Sequence, residues 1–301
     1  MANSTQWIMG LGAIKSSWQR QTMKFGHDKG DQYSSLIFDN RGVGGSSKPW
    51  GRYSTSEMAK DLVEVLDHIG WTEKRSVNVI GVSMGGMIAQ EVAYLIPERI
   101  NSLALCSTVA RLERTVPFLE NLMNRVTLFL PKSLDKSLAM AAYNMFPDGW
   151  LDKPDQSVLP TRDTPKCLPP SNVSSWDEGE YGRYPTNYAR FAAQEITKRQ
   201  DTESFNRKGF MLQAVAAGWH HMSTERLKEL GDKVGRERIV VLHGTEDRML
   251  TFHHGEVLNR ELQPGEYYPI KGAGHVLFLE DTEWHDGMLE RLWKKANALA
   301  K

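Results

Sequence analysis

The chain has 301 residues, of which 40% are hydrophobic and 25% are charged, as is ordinary for a globular protein. Lys plus Arg and Asp plus Glu both total 37, so the formal net charge is zero. Because no basic field exists to attract nucleic acid or anionic lipid, this balance predicts a small, mostly uncharged partner and no nucleic-acid binding.

The N-terminal residues contain no basic region followed by a long apolar stretch, so the sequence predicts no secretory signal. No apolar run approaches the ~18 residues that a membrane-spanning helix needs. Only Cys106 and Cys167 are present, which excludes a disulfide framework, and each is expected to be a small buried hydrophobe. We therefore expect a cytoplasmic protein without stable membrane insertion.

Short apolar runs alternate with helical patterns over the first hundred residues. The strand-like runs cover residues 7–11, 35–38, 77–82 and 100–106. The clearest helix covers residues 54–69, where apolar side chains recur at helical spacing behind candidate caps at Ser54, Thr55 and Ser56. Alternation of this kind predicts an α/β fold with a doubly wound, mostly parallel sheet.

The alternation stops near residue 110 and returns near residue 226. Residues 114–130, 131–146 and 186–219 have helical patterns, and residues 152–185 form a proline-rich loop. Strands are then predicted at 238–244 and 266–270, and a closing helix at 283–298. We therefore divide the chain into a first core part, 1–110, a helical insertion, 111–225, and a second core part, 226–301. The apolar content of the insertion favours a lid over an apolar pocket.

The pentapeptide GVSMG, residues 81–85, lies between a predicted strand and a predicted helix. This is the context that the G-x-S-x-G motif requires, because a sharp turn there lifts the serine hydroxyl clear of the sheet. Neighbouring glycines allow the chains to approach closely. Ser83 is therefore the predicted nucleophile. The alternative, a glycine-rich turn whose serine only caps the helix, does not explain three glycines around it.

A serine nucleophile needs a base, and the base needs an acid that orients it. Asp247 follows the strand that ends in HG, and His275 follows the last predicted strand. The chain order of serine, acid and histidine is the one expected for this type of sheet. Ser83, Asp247 and His275 are therefore the predicted catalytic triad.

Other residues compete for these roles. Glu246 is a rival acid beside Asp247, and two histidines at 253 and 254 lie in a helical pattern rather than after a strand. The pair at 220 and 221 is placed where it could contact substrate. No histidine pair has the i, i+4 spacing with an acidic partner that helical zinc sites use, so no metal site is predicted.

An oxyanion hole needs two backbone donors. One is expected to be the N–H of Met84, directly after the nucleophile. The other is expected in the loop after the first strand, where the N–H of Leu11 lies between Gly10 and Gly12. The alternative for this loop is a plain glycine turn.

With these residues assembled, the chain resembles the α/β-hydrolase superfamily with a helical lid, as found in esterases and lipases. GVSMGG, DNRGVGGSS at 39–47, HGTED and GAGH occur in the order that the superfamily shows. The resemblance implies that the triad lies at the carboxyl edge of the sheet and that Asp39 and Arg41 have structural roles. It also implies no cofactor and acyl transfer to water as the default reaction.

Two features depart from the superfamily pattern. The oxyanion loop has Met9-Gly10 where the superfamily commonly has His-Gly. The first predicted strand corresponds to the usual third strand, so two antiparallel N-terminal strands are expected to be missing. The strand near residues 36–38 would then be an exposed edge, which a second copy of the chain in a homodimer, or a segment missing from a shortened sequence, would cover.

The sequence thus predicts a serine hydrolase that cleaves a carboxylic ester or related apolar acyl compound through an acyl-enzyme. Alternatives with the same triad are an acyltransferase and a C–C or lactone hydrolase. A non-catalytic ligand-binding member of the fold is a third class. An aspartate-dependent dehalogenase or epoxide hydrolase is disfavoured, because Ser83 stands at the nucleophile position.

Overall fold

A computed structural model of the protein describes residues 3–115, 132–161, 164 and 181–299. In this part of the chain six strands form one sheet, and every neighbouring pair of strands is parallel. Their order along the sheet is β2-β1-β3-β4-β5-β6. The strands are β1 (Asn3–Ile8), β2 (Tyr33–Ile37), β3 (Val77–Val82), β4 (Ile100–Cys106), β5 (Ile239–Gly244) and β6 (Glu266–Ile270). The predicted doubly wound parallel fold is confirmed.

Helices connect the strands and close the chain. They are α1 (Gln19–Gln21), α2 (Thr55–His68), α3 (Met84–Leu95), α4 (Leu134–Met145), α5 (Asn187–Gln200), α6 (Arg207–Gly218), α7 (Thr224–Val234), α8 (His253–Leu262), α9 (Leu277–Glu280) and α10 (Thr282–Leu299). A 3₁₀ turn, Lys15–Trp18, precedes α1, and a π-helical segment, Thr22–Asp28, follows it. None of the described helices is both long and apolar enough to cross a bilayer.

Alternation along the strands divides the core between the two faces of the sheet. In β1, Ile8 packs with α2, α3, α7 and α8 on one face, whereas Trp7 faces α10 and the helical segment around α1. On that second face, the rings of Trp7, Trp18, Phe25 and Trp293 lie against one another. Since both faces are covered, the central strands are completely buried, as expected of a parallel sheet with helices on each side.

The first strand lies earlier in the chain than the sequence predicted. It covers Asn3–Ile8 rather than residues 7–11. Its polar residues Thr5 and Gln6 are fully buried, and their polarity hid the beginning of the strand. Residues 9–13 instead form a loop in which Gly12 has a φ of +67°. Helix α2, by contrast, begins where the caps predicted, since Ser54 and Glu57 form a reciprocal capping box.

Among its described residues, the stretch between β4 and β5 contains four α-helices, α4 to α7, and no strand beyond isolated β-bridges. Helix α4 begins after Ser133, whose side chain caps it, and the predicted helix at 186–219 is divided into α5 and α6. The predicted helix at 114–130 and much of the predicted proline-rich loop, with Cys167, lie outside the described residues. The division of the chain at residues 110 and 225 stays a prediction.

Strand β2 lies at one edge of the sheet, as predicted. It pairs with β1 on one side, and no strand among the described residues pairs with its other side. Pairing of this edge with a second copy of the chain stays a prediction. The opposite edge is β6, so the strands that carry the predicted site, β3, β5 and β6, occupy the centre and one side of the sheet.

Candidate active site

Ser83 occupies a strained turn between β3 and α3. Its φ of 57° and ψ of −124° lie in a region that costs a non-glycine residue about 1–3 kcal/mol. The glycines around it are required by close approach: a Cβ on Gly85 would overlap the carbonyl oxygen of Ile8, and one on Gly81 would overlap that of Gly85. The turn is therefore the sharp strand-to-helix elbow that the sequence predicted.

Backbone contacts hold this elbow in place. The N–H of Ser83 donates to the Cys106 carbonyl at 3.0 Å, and the Ser83 carbonyl accepts from the Thr108 hydroxyl at 2.7 Å. The side chain of Ser83 points toward the loop after β1, because a Cβ on Gly10 would lie 3.6 Å from Ser83 Oγ. Ser83 is partly exposed, whereas Cys106 is buried, as expected of a small hydrophobe, and burial raises the pKa of its thiol to about 12.

Asp247 and His275 form the buried acid–base pair of the site. His275 Nδ1 lies 2.7 Å from Asp247 Oδ2, and the two residues are 5% and 4% exposed. The other carboxylate oxygen accepts the backbone N–H groups of Met249 and Leu250, each at 2.9 Å. Burial opposes ionisation of Asp247, but the neighbouring His275 and hydrogen bonds from His275 and His243 lower its pKa to about 2. Asp247 is therefore ionised and able to orient the imidazole.

His243, which the sequence analysis did not consider, is a second histidine on the same carboxylate. It is fully buried in β5, and its Nε2 lies 2.7 Å from the Leu250 carbonyl and 3.2 Å from Asp247 Oδ2. Since a carbonyl oxygen only accepts, Nε2 carries the hydrogen. No local motif marks this residue, because it lies within the apolar sequence of β5.

Glu280 is a further residue that the sequence analysis missed. Its carboxylate accepts the N–H groups of Gly274 at 2.8 Å and Val276 at 3.2 Å, the residues on either side of His275. Burial raises the pKa of Glu280 to about 7. The N–H of His275 itself donates to the Met145 carbonyl at the end of α4. Three hydrogen bonds thus fix the backbone of His275 and of the residues on either side of it.

The three predicted triad residues all follow the carboxyl ends of strands, but hydrogen bonds connect only two of them, Asp247 and His275. No hydrogen bond connects Ser83 Oγ to His275, although both residues are described. Catalytic hydrogen bonds are commonly long in unliganded enzymes and tighten around substrate.

An open, polar hollow of about 520 Å³ lies elsewhere, between residues 44–48 and 200–204, and none of the three predicted triad residues lines it.

The competing residues have other contacts. Glu246 is exposed, and His253 pairs with Glu113 at 2.9 Å. His254 Nε2 accepts the backbone N–H of Glu113. His220 Nδ1 lies 2.8 Å from the Thr55 hydroxyl, and burial lowers the pKa of His220 to about 3. Within the described ranges, no group of three or more potential metal ligands is found.

The loop after β1, which holds the predicted oxyanion donor Leu11, lies against the side chain of Ser83 at Gly10. Neither the Leu11 N–H nor the Met84 N–H has a hydrogen-bond acceptor among the described residues. The carbonyl of Met9 accepts from Asn40 Nδ2 at 2.9 Å, while the Met9 side chain is buried in the apolar cluster around Trp7. Packing therefore replaces the polar support that a histidine at residue 9 would offer.

The loop after β2 has the structural role that the resemblance implied. Asp39 accepts the N–H of Lys15 at 2.8 Å and that of Gly45 at 3.0 Å, which ties its own loop to the segment that follows residues 9–13. Arg41 pairs with Asp61 on α2.

A family model described as the α/β hydrolase fold matches residues 8–282. The chain belongs to this family. The match begins at the last residue of β1 and includes β2 to β6, and it contains the motifs around Ser83, Asp247 and His275 that carry the resemblance.

Two relatives share shorter regions of sequence with this α/β-hydrolase-fold chain. The 3-oxoadipate enol-lactonase 2 of Acinetobacter baylyi is 30% identical over 148 residues, which cover 49% of this chain and 51% of that protein. The poly(3-hydroxyalkanoate) depolymerase of Ectopseudomonas oleovorans is 44% identical over 75 residues, 25% of each chain. The chain thus spans about half of the first relative and a quarter of the second.

Solved structures match over almost the full length. An esterase from Thermogutta terrifontis superposes with a TM-score of 0.69 at 19% identity, covering 98% of this chain and 91% of that one. An enol-lactonase from Burkholderia xenovorans LB400 gives a TM-score of 0.69 at 17% identity, covering 98% and 92%. At this identity the likeness establishes the fold.

Proposed function

We propose that the protein is a serine hydrolase that cleaves a carboxylic ester or related acyl compound through an acyl-enzyme. The observation that carries the proposal is the strained elbow at Ser83 on the same sheet edge as the buried Asp247–His275 pair. An elbow of this kind stores strain that a capping serine does not need, and Ser83 makes no side-chain cap bond to α3.

The proposed mechanism follows from the hydrogen bond between His275 Nδ1 and Asp247. Because Nδ1–H donates to the carboxylate, Nε2 is left with a free lone pair to take the Ser83 proton. Closure of the remaining gap between Ser83 Oγ and Nε2 accompanies substrate binding. Oγ then attacks the acyl carbon, and the leaving alcohol receives the proton from His275. A water molecule activated by His275 releases the acid and restores the serine.

Leu11 and Met84 are the proposed oxyanion donors. Their N–H groups have no acceptor among the described residues. Met84 directly follows Ser83, and Gly10, the neighbour of Leu11, lies against the Ser83 side chain, so we expect the carbonyl oxygen of a substrate to accept from both. In enzymes where one oxyanion donor has been removed by mutation, the loss of transition-state stabilisation is about 2.7–4 kcal/mol.

An apolar acyl or aromatic substrate is favoured by the insertion. Phe210 on α6 packs directly over the oxyanion loop, since a Cβ on Gly12 would lie 2.8 Å from its ring, and Phe205 lies beside it. The predicted role of residues 111–225 as a lid over this edge of the sheet is part of the proposal.

A cyclic ester is the second candidate substrate. The relatives include an enol-lactonase by sequence and another by structure. Lactone opening uses the same attack and the same oxyanion, and differs only in that the leaving alcohol stays attached to the acyl group. A comparison of kcat/KM for open-chain p-nitrophenyl esters with that for lactones of equal carbon number separates the two candidates.

Substitution of Ser83 tests the proposal. We expect Ser83→Ala to reduce p-nitrophenyl ester turnover by about 10³-fold or more and to abolish labelling by a fluorophosphonate probe. Ser34→Ala, at an exposed serine on β2, is the control and should behave as wild type. Folded wild-type protein that neither turns over esters nor reacts with the probe would favour a ligand-binding protein. Ester formation in added alcohol would instead indicate an acyltransferase.

A further inference from the structure

A single glutamine of the insertion connects two loops at the active edge of the sheet. Gln213 on α6 is 0% exposed. Its Oε1 accepts the N–H of Gly12 at 2.8 Å, and its Nε2 donates to the carbonyl of Arg41 at 3.0 Å. Gly12 belongs to the oxyanion loop and Arg41 to the loop after β2, so both ends of the buried amide are used.

The contact with Gly12 lies next to the peptide group that matters for the proposed chemistry. The Leu11 N–H belongs to the peptide between Gly10 and Leu11. On one side of that peptide, the Met9 carbonyl is held by Asn40, which is 1% exposed. On the other side, the Gly12 N–H is held by Gln213. Two buried side-chain amides therefore fix the peptides before and after the proposed oxyanion donor.

The loop needs such support because its own sequence gives it little. It contains two glycines, one of which has a φ of +67°, and glycine gives the backbone access to more conformations than any other residue. The only backbone hydrogen bond found within residues 9–13 is a long one, 3.3 Å, from Ala13 N–H to the Gly10 carbonyl. The direction of the Leu11 N–H therefore depends on its neighbours outside the loop.

We propose, on the basis of the proposed hydrolase function, that Gln213 is a positioning residue that aims the Leu11 N–H at the substrate oxyanion. It follows that the second donor of the hole is in place only when α6 of the insertion is docked on the core. Gln213 does not touch the reacting atoms and acts through Gly12.

A purely structural role would give the same contacts but a different response to mutation. Helix α6 has independent contacts with the core: Gly209 approaches the Gly42 backbone so closely that a Cβ would overlap its carbonyl oxygen, and Phe210 covers Gly12. Loss of the Gln213 amide alone therefore leaves α6 docked. If Gln213 only satisfies buried backbone groups, its loss lowers stability and spares the catalytic rate.

The test replaces Gln213 by Met, which keeps the length of the side chain without either hydrogen bond. We expect kcat for p-nitrophenyl acetate to fall about 10- to 100-fold, a part of the effect of losing one oxyanion donor, with KM within about twofold of wild type. The affinity for a trifluoromethyl ketone, whose tetrahedral adduct places an oxyanion in the hole, should fall by the same factor as kcat/KM. Gln213→Glu keeps an oxygen for the Gly12 N–H and should restore part of both.

A matched control separates positioning from stability. Ala216 is buried on the same helix, and Ala216→Gly should lower the Tm without changing kcat or the affinity for the ketone. If Gln213→Met fails to fold, Gln213→Asn replaces it, because the shorter amide does not reach Gly12. Folded Gln213→Met or Gln213→Asn with wild-type kcat and ketone affinity overturns the inference. Turnover that survives Ser83→Ala would instead reject the proposed function itself.

Discussion

Asp247 offers the sharpest test of the site, because each of its carboxylate oxygens has defined partners. One oxygen accepts the N–H groups of Met249 and Leu250, and the other accepts from His275 Nδ1 and lies 3.2 Å from His243 Nε2. An asparagine at this position must keep its oxygen toward the two backbone donors, so its NH₂ group faces the imidazole. The amide would donate to Nδ1 and shift the imidazole hydrogen to Nε2, where it blocks removal of the Ser83 proton.

The expected loss of activity from Asp247→Asn is large. Where the acid of a Ser-His-Asp triad is changed in this way, kcat falls by about 10⁴-fold because the wrong tautomer is held. We expect a fall of about 10³- to 10⁴-fold, which corresponds to about 4–5.5 kcal/mol of lost transition-state stabilisation.

The same substitution should also lower the free energy of unfolding. The pKa of Asp247 is lowered to about 2, so the ionised form stabilises the folded state above the usual aspartate pKa of about 4. With 1.36 kcal/mol for each unit of pKa, the contribution is about 2 kcal/mol at neutral pH, and it is lost as the pH falls through 4 toward 2.

Kinetics and urea unfolding measured on the same preparations check both numbers. Glu246→Gln is the matched control, because it removes the charge of the neighbouring, exposed acid and should leave kcat and stability near wild type. A folded Asp247→Asn protein that keeps more than a tenth of wild-type kcat, or a Glu246→Gln protein that loses activity instead, would refute the assignment of the acid.

Two further substitutions test the supports of the site. Burial raises the pKa of Glu280 to about 7, so its contribution to stability is present below the unfolded pKa of about 4.3 and is lost as the pH rises through 7. In urea titrations, the free energy of unfolding of wild type relative to Glu280→Gln should therefore fall by about 3 kcal/mol between pH 4 and pH 8. A constant difference between the two proteins would contradict this. Gly85→Ala should cost about 3 kcal/mol or more, because its Cβ overlaps the Ile8 carbonyl, whereas Gly218→Ala, with open space around it, should be neutral or stabilising in thermal melts.

The sequence predicted the strands that carry the site with correct bounds where they are apolar and flanked by turn residues. Strands β3, β4 and β6 begin and end at the predicted residues. Ser83, Asp247 and His275 directly follow β3, β5 and β6, so their common location at the carboxyl edge followed from the parallel order of the sheet. Local patterns were sufficient for β3 and β4 because burial on both faces makes these strands mostly apolar.

Prediction was weaker in segments where polar and charged residues outnumber the apolar ones. The helical segment around α1 was not predicted, because only Trp18 and Phe25 are large buried hydrophobes there while Gln19 and Gln21 are also buried. Helix α7 was missed as well, since it has few apolar residues in a charged stretch of eleven. In each case contacts with the rest of the fold, rather than the local pattern, decide which residues are buried.

Residues that support the site could not be found from spacing. Gln213 meets Gly12 across 201 positions of the chain, and Glu280 reaches back to the peptides around His275 from a four-residue helix. His243 is hidden inside an apolar strand. Each of these side chains acts on the backbone or carboxylate of another residue, so its role depends on a three-dimensional neighbour that no local motif specifies.

These supports also bear on how the insertion is related to the core. The backbone N–H of His275 is held by the Met145 carbonyl at the end of α4, and the loop with the proposed oxyanion donor Leu11 is held by Gln213 on α6. Both α4 and α6 belong to residues 111–225. A cover that only excluded water would need neither contact, since the sheet alone would fix the base and the donor. The two contacts couple the geometry of the proposed site to the docking of α4 and α6, so movement of these helices would change the alignment of the proposed catalytic groups as well as access to them.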